Sequence, residues 1–111
     1  MSVNNRATLN DMTRMKPKDR QAIILDAAVR MSRNYGYQNV TRADVAGAAE
    51  CSEALVSNYF GTMVQLRRAV VRAAIKQRDH AIILQAIAAN DPHAKKIPTE
   101  LKVESLASVI K

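Results

Sequence analysis

At 111 residues the chain has room for one domain with a modest core, and its 17 Lys plus Arg against 10 Asp plus Glu, a net charge of +7, suit a polyanionic partner. The single cysteine, Cys51, excludes a disulfide framework and fits a reducing cytoplasm. His80 and His93 stand in no metal-ligand spacing, and there is no Gly-rich phosphate loop or nucleophile motif. The apolar run 81–89 is too short to span a membrane, so we expect no catalytic residue, metal, cofactor or membrane partner.

Residues 1–17 read as a basic flexible arm. The run 1–16 is polar, rich in Asn and Thr, and has no clear period, while Arg6, Arg14, Lys16, Lys18 and Arg20 outnumber Asp11 and Asp19 around it. A helix is predicted over about 18–35, with Ile24, Ala28, Met31 and Tyr35 on one stripe and Gly36 where a helix ends in a left-handed residue. Thr41 is a good N-cap for a helix over 42–49 that turns Val45, Ala46 and Ala49 inward.

Ser52 caps the next helix, where Val56 and Phe60 point inward and Glu53, Ala54, Ser57 and Asn58 fall on the other side. Thr62 caps a fourth, with Met63, Leu66, Val70 and Ala73 on its inner face. The nearly all-apolar HAIILQAIAA at 80–89 continues that helix into a rod of roughly 28 residues, ~42 Å long. Asp91-Pro92 stops the rod, 94–98 forms a loop, and Thr99 caps a last helix with Val103, Leu106, Ala107 and Ile110 at i, i+3, i+4 and i+7.

The expected fold is all-α: a three-helix helix-turn-helix domain at 18–78, a long fourth helix, and a helical dimerisation segment at 79–111. Two short helices joined by a tight turn at 41–60 are the arrangement that lays one helix in the DNA major groove. Residues 21–66 are slightly acidic, with Arg30, Arg33 and Arg42 against Asp26, Asp44, Glu50 and Glu53, so nonspecific attraction falls to the leading segment, with Arg20 near the phosphate backbone. The Arg68, Arg72 and Lys76 ladder reads as a solvated helix face.

Ile24, Leu25, Ala27, Ala28, Gly36, Tyr37, Thr41, Val45, Ala46, Ala49, Ser52, Tyr59, Phe60 and Leu66 stand in an order and spacing that resembles the DNA-binding domain of the TetR family of bacterial repressors. The resemblance spans roughly 20–75. It implies that Thr41, Arg42, Ser57 and Tyr59 meet phosphates, joined by Ser52 and by the Thr62 helix end, and that Glu53, Ala54, Leu55 and Asn58 face base edges. The chemistry agrees: Asn can bond adenine, a carboxylate can accept from cytosine N4, and Ala or Leu can pack on a thymine methyl. Plainer roles exist, since Glu53 also complements the helix dipole, Leu55 suits a core and Tyr59 can simply pack. The chain departs from the family's pattern at Glu50, where a turn glycine is usual, at Met63 for a lysine, at Ser32 for an aromatic and at Ser57 for a tyrosine; Cys51 takes a valine position.

Typical members carry a large C-terminal domain that binds a small molecule and forms the dimer. With only 79–111 beyond the resemblance, we expect no small-molecule ligand. Ile83, Leu84, Ile87, Leu106 and Ile110 are expected to pair across a twofold axis, or the last helix folds back on Ile82, Ile83 and Ile87 of its own chain. The resulting expectation is a cytoplasmic, nucleoid-associated homodimer that binds double-stranded DNA at a palindromic operator and represses transcription, a reduced form of the kind carried by phages or mobile elements. The rival is a protein-interaction module that titrates or heterodimerises with another regulator without reading DNA.

Overall fold

Pro17 fixes the start of the first helix, because its ring presets the helical φ and the amide it lacks is one that a first turn leaves unpaired. The computed structural model describes residues 16–110, so the arm proposed for 1–17 lies outside it except for its last two residues, and Pro17 already belongs to the helix. Helix α1 (Pro17–Tyr35) turns Ile24, Ala27, Ala28, Val29 and Ser32 into the core. It ends at Gly36, whose φ of 91° is open to glycine and whose N–H donates to the Ser32 carbonyl at 2.8 Å. Tyr35 departs from the expected stripe and is 64% exposed. The chain turns immediately after it, and Tyr37, 2% exposed, takes the inward place from the loop.

Helix α2 (Arg42–Ala49) is fixed by a capping box: the Thr41 hydroxyl accepts from the Asp44 N–H at 3.1 Å, and the Asp44 carboxylate accepts from the Thr41 N–H at 2.9 Å. Glu50 then adopts φ 56°, ψ 46°, and the Cys51 N–H closes the cap on the Ala46 carbonyl at 3.0 Å. Helix α3 (Glu53–Phe60) starts where the Ser52 hydroxyl accepts from the Leu55 N–H, and ends at Gly61, φ 75°. Helix α4 (Met63–Gln77) opens with a second capping box, Thr62 with Gln65, and buries Leu66, Ala69, Val70, Val71, Ala73 and Ala74.

The long rod is not formed. Arg78 turns left-handed at φ 56°, and Asp79 caps a new helix, α5 (His80–Ala88), by accepting from the Ile82 N–H. The break folds the apolar stretch back so that Ile82, Ile83 and Ala86 enter the common core rather than projecting into water. Arg33 of α1 holds the break in place through two hydrogen bonds to the Asp79 carboxylate, at 2.7 and 3.0 Å.

A 3-10 turn (Pro92–Lys96) leads to buried Ile97 and to α6 (Thr99–Ala107). Pro98, not Thr99, sits at the cap position. The rotation of α6 is opposite to the apolar count: Leu101 and Ser105 face α5, whereas Val103, Leu106 and Ile110 are exposed. Burial of Leu101 against the core accompanies this rotation, and Glu104 at the rim pairs with Arg78 and, at 3.2 Å, with the His80 ring. Among the described residues there is no strand, and no helix is long and apolar enough to cross a membrane.

Candidate nucleic-acid interface

The two capped helices α2 and α3 hold one exposed face away from the core. Val56, 1% exposed, anchors α3 on the inside, which leaves Glu53, Ala54 and Asn58 exposed on the outside. Leu55 is half-buried and packs on the core, so this expected base reader is the one most turned inward. Ser57 and Tyr59 are half-buried at the rim.

The hydroxyls expected to meet phosphates are also the caps. Thr41 and Ser52 each accept an amide of their own helix, and each retains a hydroxyl proton to donate. The Thr62 hydroxyl accepts from the Gln65 N–H and lies 3.4 Å from Gln65 Oε1, so its proton is engaged inside the capping box. The capped N-terminus of α4 offers backbone amides instead.

Two arginines brace the unit. The Arg20 guanidinium sits 5.9 Å from the centroid of the Tyr59 ring, tying the start of α1 to the end of α3. Arg42 reaches the Gly61 carbonyl at 3.5 Å, tying the start of α2 to the turn after α3. The Nε atoms of both are enclosed without a hydrogen-bond partner among the described residues. Neither contact was legible in the sequence, because each joins residues far apart along the chain.

Electrostatically the unit is quiet. The Thr41 backbone N–H, then its hydroxyl, hold the Asp44 carboxyl below its usual range. Burial raises the half-buried Cys51 thiol, which favours its protonated form. No group of three His, Cys, Asp or Glu side chains among the described residues could hold a metal ion.

The residues expected to pair between subunits are divided by the fold. Ile83 is fully enclosed by its own chain and has no surface to offer, and Leu84 and Ile87 are half-buried. Leu106 and Ile110 are exposed, at 49% and 82%, and Val103 and Val109 join them.

Residues 24–70 match the family described as bacterial regulatory proteins, tetR family. The chain is 35% identical over 81 residues to the HTH-type transcriptional regulator BetI of Agrobacterium fabrum, covering 73% of this chain and 39% of the relative. It is 38% identical over 76 residues to BetI of Rhizobium meliloti, covering 68% of this chain and 37% of that protein. The chain thus spans less than two fifths of the length of these curated relatives. No solved structure matches it significantly. The unit formed by α1 to α4 is a helix-turn-helix DNA-binding domain of the TetR family.

Proposed function

We propose that the protein regulates transcription by laying α3 in the major groove of a palindromic operator as a homodimer, repressing by occupancy. The observation that carries this reading is the outer face of α3, where Glu53, Ala54 and Asn58 stand exposed on a helix whose opposite side is locked by Val56. Asn58 suits adenine, Glu53 suits cytosine N4, and Ala54 suits a thymine methyl, while Leu55 at the helix edge seats the reader more than it reads. Arg20, Thr41, Arg42, Ser52, Ser57, Tyr59 and the Thr62 end of α4 supply the backbone contacts that set register. Such binding places the protein in the cytoplasm, on the nucleoid.

The exposed Val103, Leu106, Val109 and Ile110 supply an apolar surface for the twofold contact. Two reading helices about 34 Å apart, or a multiple of that, match half-sites one helical turn apart. Helices α5 and α6 close on each other through Ile82, Ile83, Ala86 and Leu101, all buried, and operator binding without a ligand between these helices is part of the proposal. The same exposed stripe also favours a second reading, in which the chain pairs with a different regulator and withdraws it from DNA.

Selection from a random DNA pool at physiological salt, followed by titration at several salt concentrations, tests the reading. A palindromic consensus with specific binding well above nonspecific binding supports it. Uniform weak binding at every sequence refutes it and favours the second reading.

A further inference from the structure

The loop between α1 and α2, the first turns of α4 and the 3-10 turn border an open cleft of about 400 Å³, a volume suited to a small organic ligand. Val64 and Pro92 form its apolar wall, and Arg67, Arg68 and His93 bring cationic or protonatable groups to it. The one carboxylate present, Asp91, is already engaged: one oxygen accepts from the Tyr37 hydroxyl at 2.7 Å, the other from the His93 N–H at 2.8 Å.

Arg67 and Arg68 take part in none of the ion pairs found among the described residues. The Arg67 Nε is moreover enclosed with no acceptor among them. Two guanidinium groups beside an apolar wall, with the neighbouring carboxylate occupied, form a receptor for an anion carrying an apolar body.

We infer that this cleft binds a small aromatic or alicyclic monocarboxylate, its carboxylate held by Arg67 and Arg68 and its ring against Val64 and Pro92. A planar carboxylate matches the guanidinium fork, whereas an inorganic anion leaves the apolar wall unused. A cationic ligand meets two arginines that form no ion pair among the described residues, against the single carboxylate of Asp91. The site lies outside the α5–α6 layer, so it does not conflict with the closed packing there. Neither the cleft nor its test involves nucleic acid, so this inference stands or falls apart from the DNA reading.

The test is a ¹H–¹⁵N NMR titration of the full chain with sodium benzoate, with acetate and inorganic phosphate as controls. The expected result is saturable shifts at the amides of Gln38, Val64, Arg67 and His93, with a Kd on the order of 1 mM or tighter. Acetate and phosphate should bind at least tenfold more weakly. Arg67→Gln, and separately Val64→Glu, should each weaken benzoate at least tenfold, with spectral dispersion reporting that each variant is folded. Val64 is 55% exposed, so its substitution leaves the core intact. Absence of saturable shifts, equal response to all three anions, or unchanged benzoate affinity in the folded variants overturns the inference.

Discussion

Replacing Glu50 by glycine should make the protein more stable, although it removes a side chain and adds chain entropy to the unfolded state. Glu50 sits at φ 56°, ψ 46°, the left-handed conformation that closes the turn with hydrogen bonds from the Glu50 N–H to the Gly47 carbonyl at 3.2 Å and from the Cys51 N–H to the Ala46 carbonyl at 3.0 Å. A residue with a Cβ pays roughly 1–2 kcal/mol in that region. Glycine escapes this but brings about 0.5–1 kcal/mol of extra unfolded-state freedom, leaving a net gain of up to about 1.5 kcal/mol with a midpoint of about 0.75 kcal/mol. For a domain of this size the midpoint corresponds to a rise in Tm of about 3–6 °C. The Glu50 side chain makes no hydrogen bond or ion pair among the described residues, so nothing offsets the relief. The assay is thermal and urea unfolding of wild type, Glu50→Gly and Glu50→Ala. Alanine removes the same charge and keeps the Cβ, so it should give no comparable gain. Equal stabilisation by both variants refutes the backbone argument and assigns the effect to charge, and destabilisation by glycine refutes it outright.

Tyr37→Phe should cost about 1–3 kcal/mol, because Asp91 loses the one side-chain donor it has among the described residues, in a half-buried setting. Burial pushes the Asp91 carboxyl up, but the Tyr37 hydroxyl, the His93 N–H and the nearby His93 and Arg68 charges together hold it below its ordinary value of 3.8. With the folded-state value depressed, this stabilisation is complete above the unfolded-state value and is lost as pH falls through the folded one. Acid titration of the unfolding free energy should therefore show a shallower loss below about pH 4 in Tyr37→Phe than in wild type. Leu106→Glu with Ile110→Glu should leave folding intact and convert a sedimenting dimer to single chains at micromolar concentration. Ile83→Ala, in contrast, strikes the chain's own core and should cost about 2–5 kcal/mol in urea unfolding, whatever the protein concentration.

The first four helices were legible because their punctuation is local. Thr41, Ser52 and Thr62 each cap the helix that the sequence assigns them, and the predicted 42–49 helix has the observed bounds. The break at Arg78 was not legible, since an arginine in a left-handed turn carries no turn signal and the apolar run beyond it looks continuous with α4. Asp79, which caps the new helix, is anchored by Arg33, 46 residues away along the chain. The rotation of α6 escaped for a related reason. Periodicity counts apolar side chains, whereas this helix turns inward a leucine and a serine, with Glu104 at its rim in contact with Arg78 and His80. At the candidate interface, sequence named the outward residues of α3, but not the Arg20 and Arg42 contacts that brace it, which depend on the assembled fold.

Base reading by the exposed side of α3 is decided by measuring how Asn58→Ala changes binding to an operator and to its single-base variants, alongside Arg20→Ala. Asn58→Ala should lose about 1–3 kcal/mol at one base pair, abolishing preference there alone, whereas Arg20→Ala should weaken every sequence alike and lower the salt slope. An unchanged preference at every base pair in Asn58→Ala, Glu53→Ala and Ala54→Gly, with the folded domain still bound, would contradict it.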